Sequence, residues 1–238
     1  MASVKIVEKI KSFNKTITIE GDKSLSIRWA LLSSQSNGIS RSYNLLRSED
    51  VNNTLNCLKK MGVKVKFQKK HCEIIGLGLN GFKYKNNLKL NAGNSGTLGR
   101  LIMGLLVHSS KPVQLIGDKS LSKRDFLRVI RPLKKFGANF KSKSGKLPIT
   151  VSGTKNPKPI RFFEDIGSAQ IKSSILFAAL NTAGKTIVKA KRSRDHSEKL
   201  FKHLKIPIKI KKRGNFDIIE IKGKKKINPI IYNIPADI

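Results

Sequence analysis

The sequence predicts an α/β fold of three repeated βαβαββ units with buried helices and outward-facing sheets. Three observations carry this prediction. A helix-to-strand junction recurs as LKKMGVKV from Leu58, LKKFGANF from Leu133 and FKHLKIPI from Phe201, at offsets of 75 and 68 residues, and a period of that length marks a repeated supersecondary unit. The first helical segments of the second and third units, LGRLIMGLLVHSS and AQIKSSILFAALNTA, are apolar around most of their circumference, as helices buried on most sides are. The strands alternate instead. In Val63-Lys64-Val65-Lys66-Phe67 and Ile206-Pro207-Ile208-Lys209-Ile210 one face is apolar and the other is largely lysine, so each sheet turns one face to water.

The elements of each unit follow in a fixed order. The first helix ends at Asn37-Gly38, Ser110-Lys111 or Ala183-Gly184, points that lie 73 residues apart. A short strand-like run comes next: SYNLL from Ser42, VQLI from Val113, TIVKA from Thr186. Polar clusters then open the second helix, namely SEDVNN from Ser48, SKRDF from Ser122 and SRDHSE from Ser193. In the last of these, Asp195 and Glu198 have the spacing of a capping box. The recurring junction closes each second helix, and the residues that remain leave room for further strands such as CEIIGL and DIIEIKG. The units fall at about 21–83, 84–155 and 156–235.

The chain has 238 residues, with 49 Lys and Arg against 15 Asp and Glu and a formal net charge of +34. That length suits one large or two small domains. No apolar run approaches the ~20 residues of a membrane span, and MASVKIVEKIKSFNKTITIE lacks the apolar core of a signal peptide, so a cytoplasmic location is expected. Cys57 and Cys72 match no zinc spacing, and His71, His108, His196 and His203 are scattered, so neither a metal nor a cofactor is expected. The charge raises a rival class, a basic nucleic-acid-binding module. Against it, aromatics make up only 6% of the chain, show no stacking pattern, and the lysines are dispersed over the repeats.

Candidate chemistry gathers where the buried helices begin: Gly21-Asp22-Lys23-Ser24, Gly93-Asn94-Ser95-Gly96-Thr97 and Gly167-Ser168-Ala169-Gln170. Free backbone N–H groups and the positive end of the helix dipole favour an anion there. One such start is an ordinary N-cap; three equivalent starts predict a shared anion-binding cleft. Ser24 and Arg28 lie four apart on one helix face with Lys23 beside them, while Leu25, Trp29 and Leu32 form the packing face. GDKSLSKR from Gly117 repeats GDKSLSIR from Gly21 after 96 residues and places Arg124 at the start of the second helix of unit two. Ser193, Asp195 and His196 have the residue types of a hydrolase triad, but as near neighbours they read as a helix cap, with Arg194 free to bind an anion. No GxGxxG, P-loop or zinc motif is present.

These residues resemble the 5-enolpyruvylshikimate-3-phosphate synthase family. GDKSLSIR is similar to the family's GDKSISHR, with Ile27 in place of histidine, and LNAGNSGTLGRLIMGLL to its LxxGNSGTxxRLxxGLL. GDKSLSKRDFLRVIRPLKKFGA resembles GDxSLxxRPMxRVxxPLxxMGA, with Asp125 where that pattern has proline. GSAQIKSSILFAAL and SRDHSEKLF are similar to SAQVKSALLLAGL and SRDHTERML. The five motifs cover most of residues 20 to 205.

The resemblance implies an enolpyruvyl transferase-like inside-out α/β barrel. It also implies transfer of the enolpyruvyl group from phosphoenolpyruvate to the 5-hydroxyl of shikimate 3-phosphate, on the route to chorismate and the aromatic amino acids. It assigns Lys23, Ser24, Arg28, Ser168, Gln170, Ser193 and Arg194 to shikimate 3-phosphate. It assigns Lys23, Gly96, Arg124 and Gln170 to phosphoenolpyruvate, with Asn94 and Thr97 shaping the loop around Gly96 and Arg100 structural. The family's herbicide, glyphosate, lies against that glycine. No catalytic acid or base is assigned to this chain. The family's acid and base groups come from its other domain, so residues 1–20 are expected to be first strands of an incomplete domain, 21–235 a complete one, and 236–238 the start of the crossover. The chain alone is expected to be inactive, its partner being the C-terminal portion of the enzyme; a split or degenerate synthase is the alternative.

Overall fold

The computed structural model describes residues 12, 14, 19–223 and 225–236. The first unit holds α1 (Lys23–Ser34), β1 (Asn37–Tyr43), α2 (Glu49–Lys60), β2 (Lys64–Phe67) and β3 (Cys72–Leu77). The second holds β4 (Leu88–Asn91), α3 (Gly96–Leu106), β5 (Val113–Ile116), α4 (Lys119–Ser122), α5 (Leu127–Lys134), β6 (Asn139–Lys143) and β7 (Lys146–Ser152). In the third are β8 (Arg161–Glu164), α6 (Ala169–Ala179), β9 (Lys185–Lys191), α7 (His196–His203), β10 (Ile208–Arg213) and β11 (Phe216–Lys222), and β12 (Ile231–Asn233) follows.

Three four-stranded sheets share one pattern, β12-β1-β3-β2, β4-β5-β7-β6 and β8-β9-β11-β10. In each, the first pair is parallel and the others antiparallel. β4 and β8 precede the buried helix of their own unit, but the matching place in the first sheet is taken by β12, with Arg41 opposite Ile231. β12 thus lies inside the range expected for the third unit, 156–235, and pairs with the first. Just beyond it, the Asp22 N–H donates to the Pro235 carbonyl at 2.8 Å and Gly21 bridges Ala236. A Cβ on Gly21 would sit 2.1 Å from the Asn44 carbonyl oxygen, so only glycine permits this closure.

The core lies between the sheets. Every residue of α1 from Ser26 to Ser34 is buried, as are those of α6 from Ile171 to Ala179 and those of α3 except Thr97. Trp29, Leu98, Ile102, Phe126, Phe136, Ile175 and Phe177 are fully inaccessible, each contributing about 1.5–3 kcal/mol of burial. Lysines of the strands, including Lys64, Lys66, Lys209 and Lys211, point outward. No helix among the described residues is long and apolar enough to cross a membrane.

The structure differs from the sequence reading in several places. α1 stops at Ser34, before Asn37-Gly38, because the Ser34 and Ser36 hydroxyls take up the Leu31 and Ser33 carbonyls at 2.6 and 2.9 Å, satisfying groups that the helix leaves free. β1 therefore occupies 37–43, ahead of the SYNLL run, with Gly38 at φ +118°. The second helix of unit two is broken into α4 and α5: Arg124 lies in the break, and the Asp125 Oδ1 restarts the helix by accepting the Leu127 N–H at 2.7 Å. The capping box at α7 does not form. Asp195 makes no side-chain cap and pairs with Lys199 at 3.1 Å, while Glu198 points inward to Lys172 at 2.6 Å. Phe67, assigned to the apolar face of β2, is 45% exposed under the Arg47 guanidinium.

Candidate anion-binding site at the helix N-termini

The starts of the three buried helices are each capped by a side chain that accepts one free N–H. Asp22 accepts from Leu25 at 2.5 Å, Ser95 from Leu98 at 3.2 Å and Ser168 from Ile171 at 3.4 Å. The remaining N–H groups and the dipoles leave this end of the molecule electropositive. An open depression of about 280 Å³ lies here, lined by Lys23, Asp50, Asn94, Gly96, Thr97, Arg124 and Gln170. Six of the residues singled out in the sequence thus meet in one place. A more enclosed cavity of about 270 Å³, lined by Gln35, Leu105, Phe177 and Asn181 among others, opens at the opposite ends of the helices and contains none of them.

The rim is held by interlocking hydrogen bonds. Arg124 Nη2 donates to Asn94 Oδ1 at 2.8 Å, and Gln170 Nε2 donates to Thr97 Oγ1 at 3.2 Å while its Oε1 accepts from Arg100 Nη1 at 2.7 Å. Arg100 is buried against the Phe126 ring, 4.9 Å from its centre. Burial first, then the neighbouring charges of Arg128 and Arg124, pushes Arg100 down to about 10, so it stays charged at neutral pH. A Cβ on Gly96 would lie 2.8 Å from Arg100 Nη1 and 3.2 Å from Arg124 Nη1. The glycine keeps the helix start open between two guanidinium groups.

Arg28 sits beneath the rim at 3% exposure. Its Nε donates to Ser197 Oγ at 2.8 Å, Nη1 to the Ser24 carbonyl at 3.0 Å and Nη2 to Ser173 Oγ at 3.0 Å, which leaves two of the five guanidinium N–H bonds without a partner among the described residues. The adjacent pair Lys172 and Glu198 is also buried. Burial pushes Arg28 down to about 10, against the opposing charges of Glu198 and Asp22 and with the repulsion of Arg194. Arg194 is thereby placed within electrostatic reach of Arg28, though itself exposed, and Ser193 next to it has a buried hydroxyl with no hydrogen-bond partner among the described residues. His196 is held below its ordinary value by burial and then by Arg28.

Two carboxylates escaped the sequence reading. Asp50, read there only as part of a helix-opening cluster, pairs with Lys23 at 3.2 Å. Glu164 is buried and accepts the N–H groups of Ile166, Gly167 and Ser168 at 3.1 Å each, which fixes the loop that delivers α6. Their only sequence signal is scarcity, since a chain with 15 acidic residues spends two of them here. Elsewhere the structure is plain: Trp29 is core, and Cys57 and Cys72 are free buried thiols pushed up to about 12 by burial. No group of three His, Cys, Asp or Glu is arranged to hold a metal among the described residues.

The geometry has close counterparts among known proteins. Residues 7–238 match the family EPSP synthase (3-phosphoshikimate 1-carboxyvinyltransferase). A 3-phosphoshikimate 1-carboxyvinyltransferase of Vesicomyosocius okutanii is 39% identical over 98% of this chain and 53% of its own length. One of Streptococcus agalactiae is 36% identical over 99% and 55%. The solved structure of EPSP synthase from Acinetobacter baumannii superposes with a TM-score of 0.83 at 32% identity, covering 93% of this chain and 49% of that one. The chain spans about half the length of the curated relatives it matches. On these grounds it belongs to the EPSP synthase family.

Proposed function

We propose that this chain holds shikimate 3-phosphate and one side of phosphoenolpyruvate for enolpyruvyl transfer, in the cytoplasm. The observation that carries this reading is the convergence of Lys23, Asn94, Gly96, Thr97, Arg124 and Gln170 on one depression at three helix N-termini. In the reaction the 5-hydroxyl oxygen bonds to C2 of phosphoenolpyruvate, C3 gains a proton, and the hydroxyl proton leaves to a base. The tetrahedral intermediate then loses phosphate and a C3 proton, which restores the double bond. Both reactants are anions, so fixed cations and aligned N–H groups lower their repulsion and hold the reacting atoms in line.

Lys23 takes the position between the two substrates. Ser24, Arg28, Ser168, Ser193 and Arg194 hold shikimate 3-phosphate, and Gly96 with Arg124 holds phosphoenolpyruvate, with Gln170 bordering both. The acid and base belong to the part of the family's length that this chain does not span. Residues 21–235 form one domain; the expectation that 1–20 and 236–238 belong to another falls largely outside the described residues. The 238-residue chain therefore binds shikimate 3-phosphate at best weakly and releases no phosphate from the two substrates. Calorimetric titration should show saturable binding that Arg28→Met abolishes; phosphate release above the protein-free rate would contradict the assignment of acid and base.

A further inference from the structure

We propose that Asp50 is a built-in counter-anion for Lys23, holding its ammonium in the ligand-free protein and giving it up when a substrate phosphate or carboxylate arrives. This rests on the assignment of Lys23 above. Among the residues lining the depression, Asp50 is the one carboxylate, and a fixed negative charge inside an anion site opposes binding. Arg124 on the same rim is held by the neutral Asn94 amide, so holding a cation in place does not itself require an acid there.

The two partners differ in mobility. The Asp50 side chain is 21% exposed and stands in the first turn of α2, where the helix dipole favours a carboxylate and the Thr54 hydroxyl donates to the Asp50 carbonyl at 2.9 Å. The Lys23 side chain is 51% exposed, and its ammonium rides on a flexible four-carbon stem. Lys23 is therefore the member that moves. The ion pair keeps it directed into the depression, and an oxyanion with more charge than one carboxylate displaces Asp50 without rebuilding the site.

The test titrates the 238-residue chain with inorganic phosphate and with shikimate 3-phosphate at constant ionic strength, beside Asp50→Asn and Glu49→Gln. Glu49 stands in the same helical turn but does not line the depression, so its variant reports the general change in field. Asp50→Asn should bind both probes roughly two- to fivefold more tightly, the strength of a part-exposed ion pair, and Glu49→Gln should change affinity less. In the unaltered chain the Asp50 carboxylate carbon resonance should shift on saturation as Lys23 leaves it. Equal or weaker binding by Asp50→Asn, or a resonance that stays put while phosphate binds, overturns the proposal alone. A chain that binds neither probe overturns the assignment of Lys23 as well.

Discussion

Lys23 and Arg28 project from the first two turns of α1, yet one lies on an open rim and the other in a closed block. Lys23 is half exposed, in an ion pair with Asp50. Arg28 is buried, tied to two serine hydroxyls and a carbonyl, beside the fully enclosed Lys172 and Glu198. An exposed pair is screened and loosely placed, which suits a cation that must change partners. Buried charges cannot change partners without a large desolvation cost, which suits a cation whose direction must not change. The same kind of charge thus stands half exposed at the rim and enclosed in a hydrogen-bonded block below it.

The largest expected effect comes from breaking the closed block. Lys172→Met leaves Glu198 without its ion-pair partner and should cost about 3–5 kcal/mol, seen as a lower midpoint in urea unfolding. Adding Glu198→Gln should recover much of that loss, because the burden is the unpaired charge. Next is Gly96→Ala, whose methyl group would meet Arg100 Nη1 at 2.8 Å and Arg124 Nη1 at 3.2 Å. Overpacking of this kind costs about 1–3 kcal/mol, and here it should weaken phosphoenolpyruvate binding while leaving shikimate 3-phosphate affinity nearly unchanged.

A pH titration sharpens the same contrast. His196, held below its ordinary value of 6.5 by burial and Arg28, is favoured neutral in the fold. The unfolded chain takes up the proton first as pH falls through 6.5, so stability from this group is present above that pH and declines below it. His196→Gln should flatten that part of a stability profile measured between pH 7.5 and 5.5. The smallest effect belongs to the rim: Lys23→Met should shift stability by less than about 1 kcal/mol while removing most phosphate affinity.

What could be read from the sequence divides along physical lines. The buried helices α3 and α6 were legible because a helix apolar around most of its circumference has only one place to go, and β2 and β10 overlap the runs 63–67 and 206–210 because alternation reports a strand with one face to water. β12 escaped assignment to the first sheet because its three residues pair with β1 190 positions away, with Arg41 opposite Ile231, and no local signal encodes that. Glu198 was misread because its spacing from Asp195 suits a cap, whereas the enclosed Lys172 demanded a carboxylate. Most of the residues that line the depression were legible from residue types at helix starts. Asp50 and Glu164 were not, since an acid within a basic site looks like helix capping until its partners are known.

The most direct test of the convergence of three helix starts on one anion site is amide chemical-shift mapping of the isotope-labelled chain titrated with shikimate 3-phosphate. The structure predicts saturable shifts clustered at residues 21–28, 94–97, 167–171 and 193–197, with the lysine-bearing faces of the three sheets unmoved. Shifts spread over those sheet faces and collapsing with added salt, or confined to the cavity at the opposite helix ends, would contradict it.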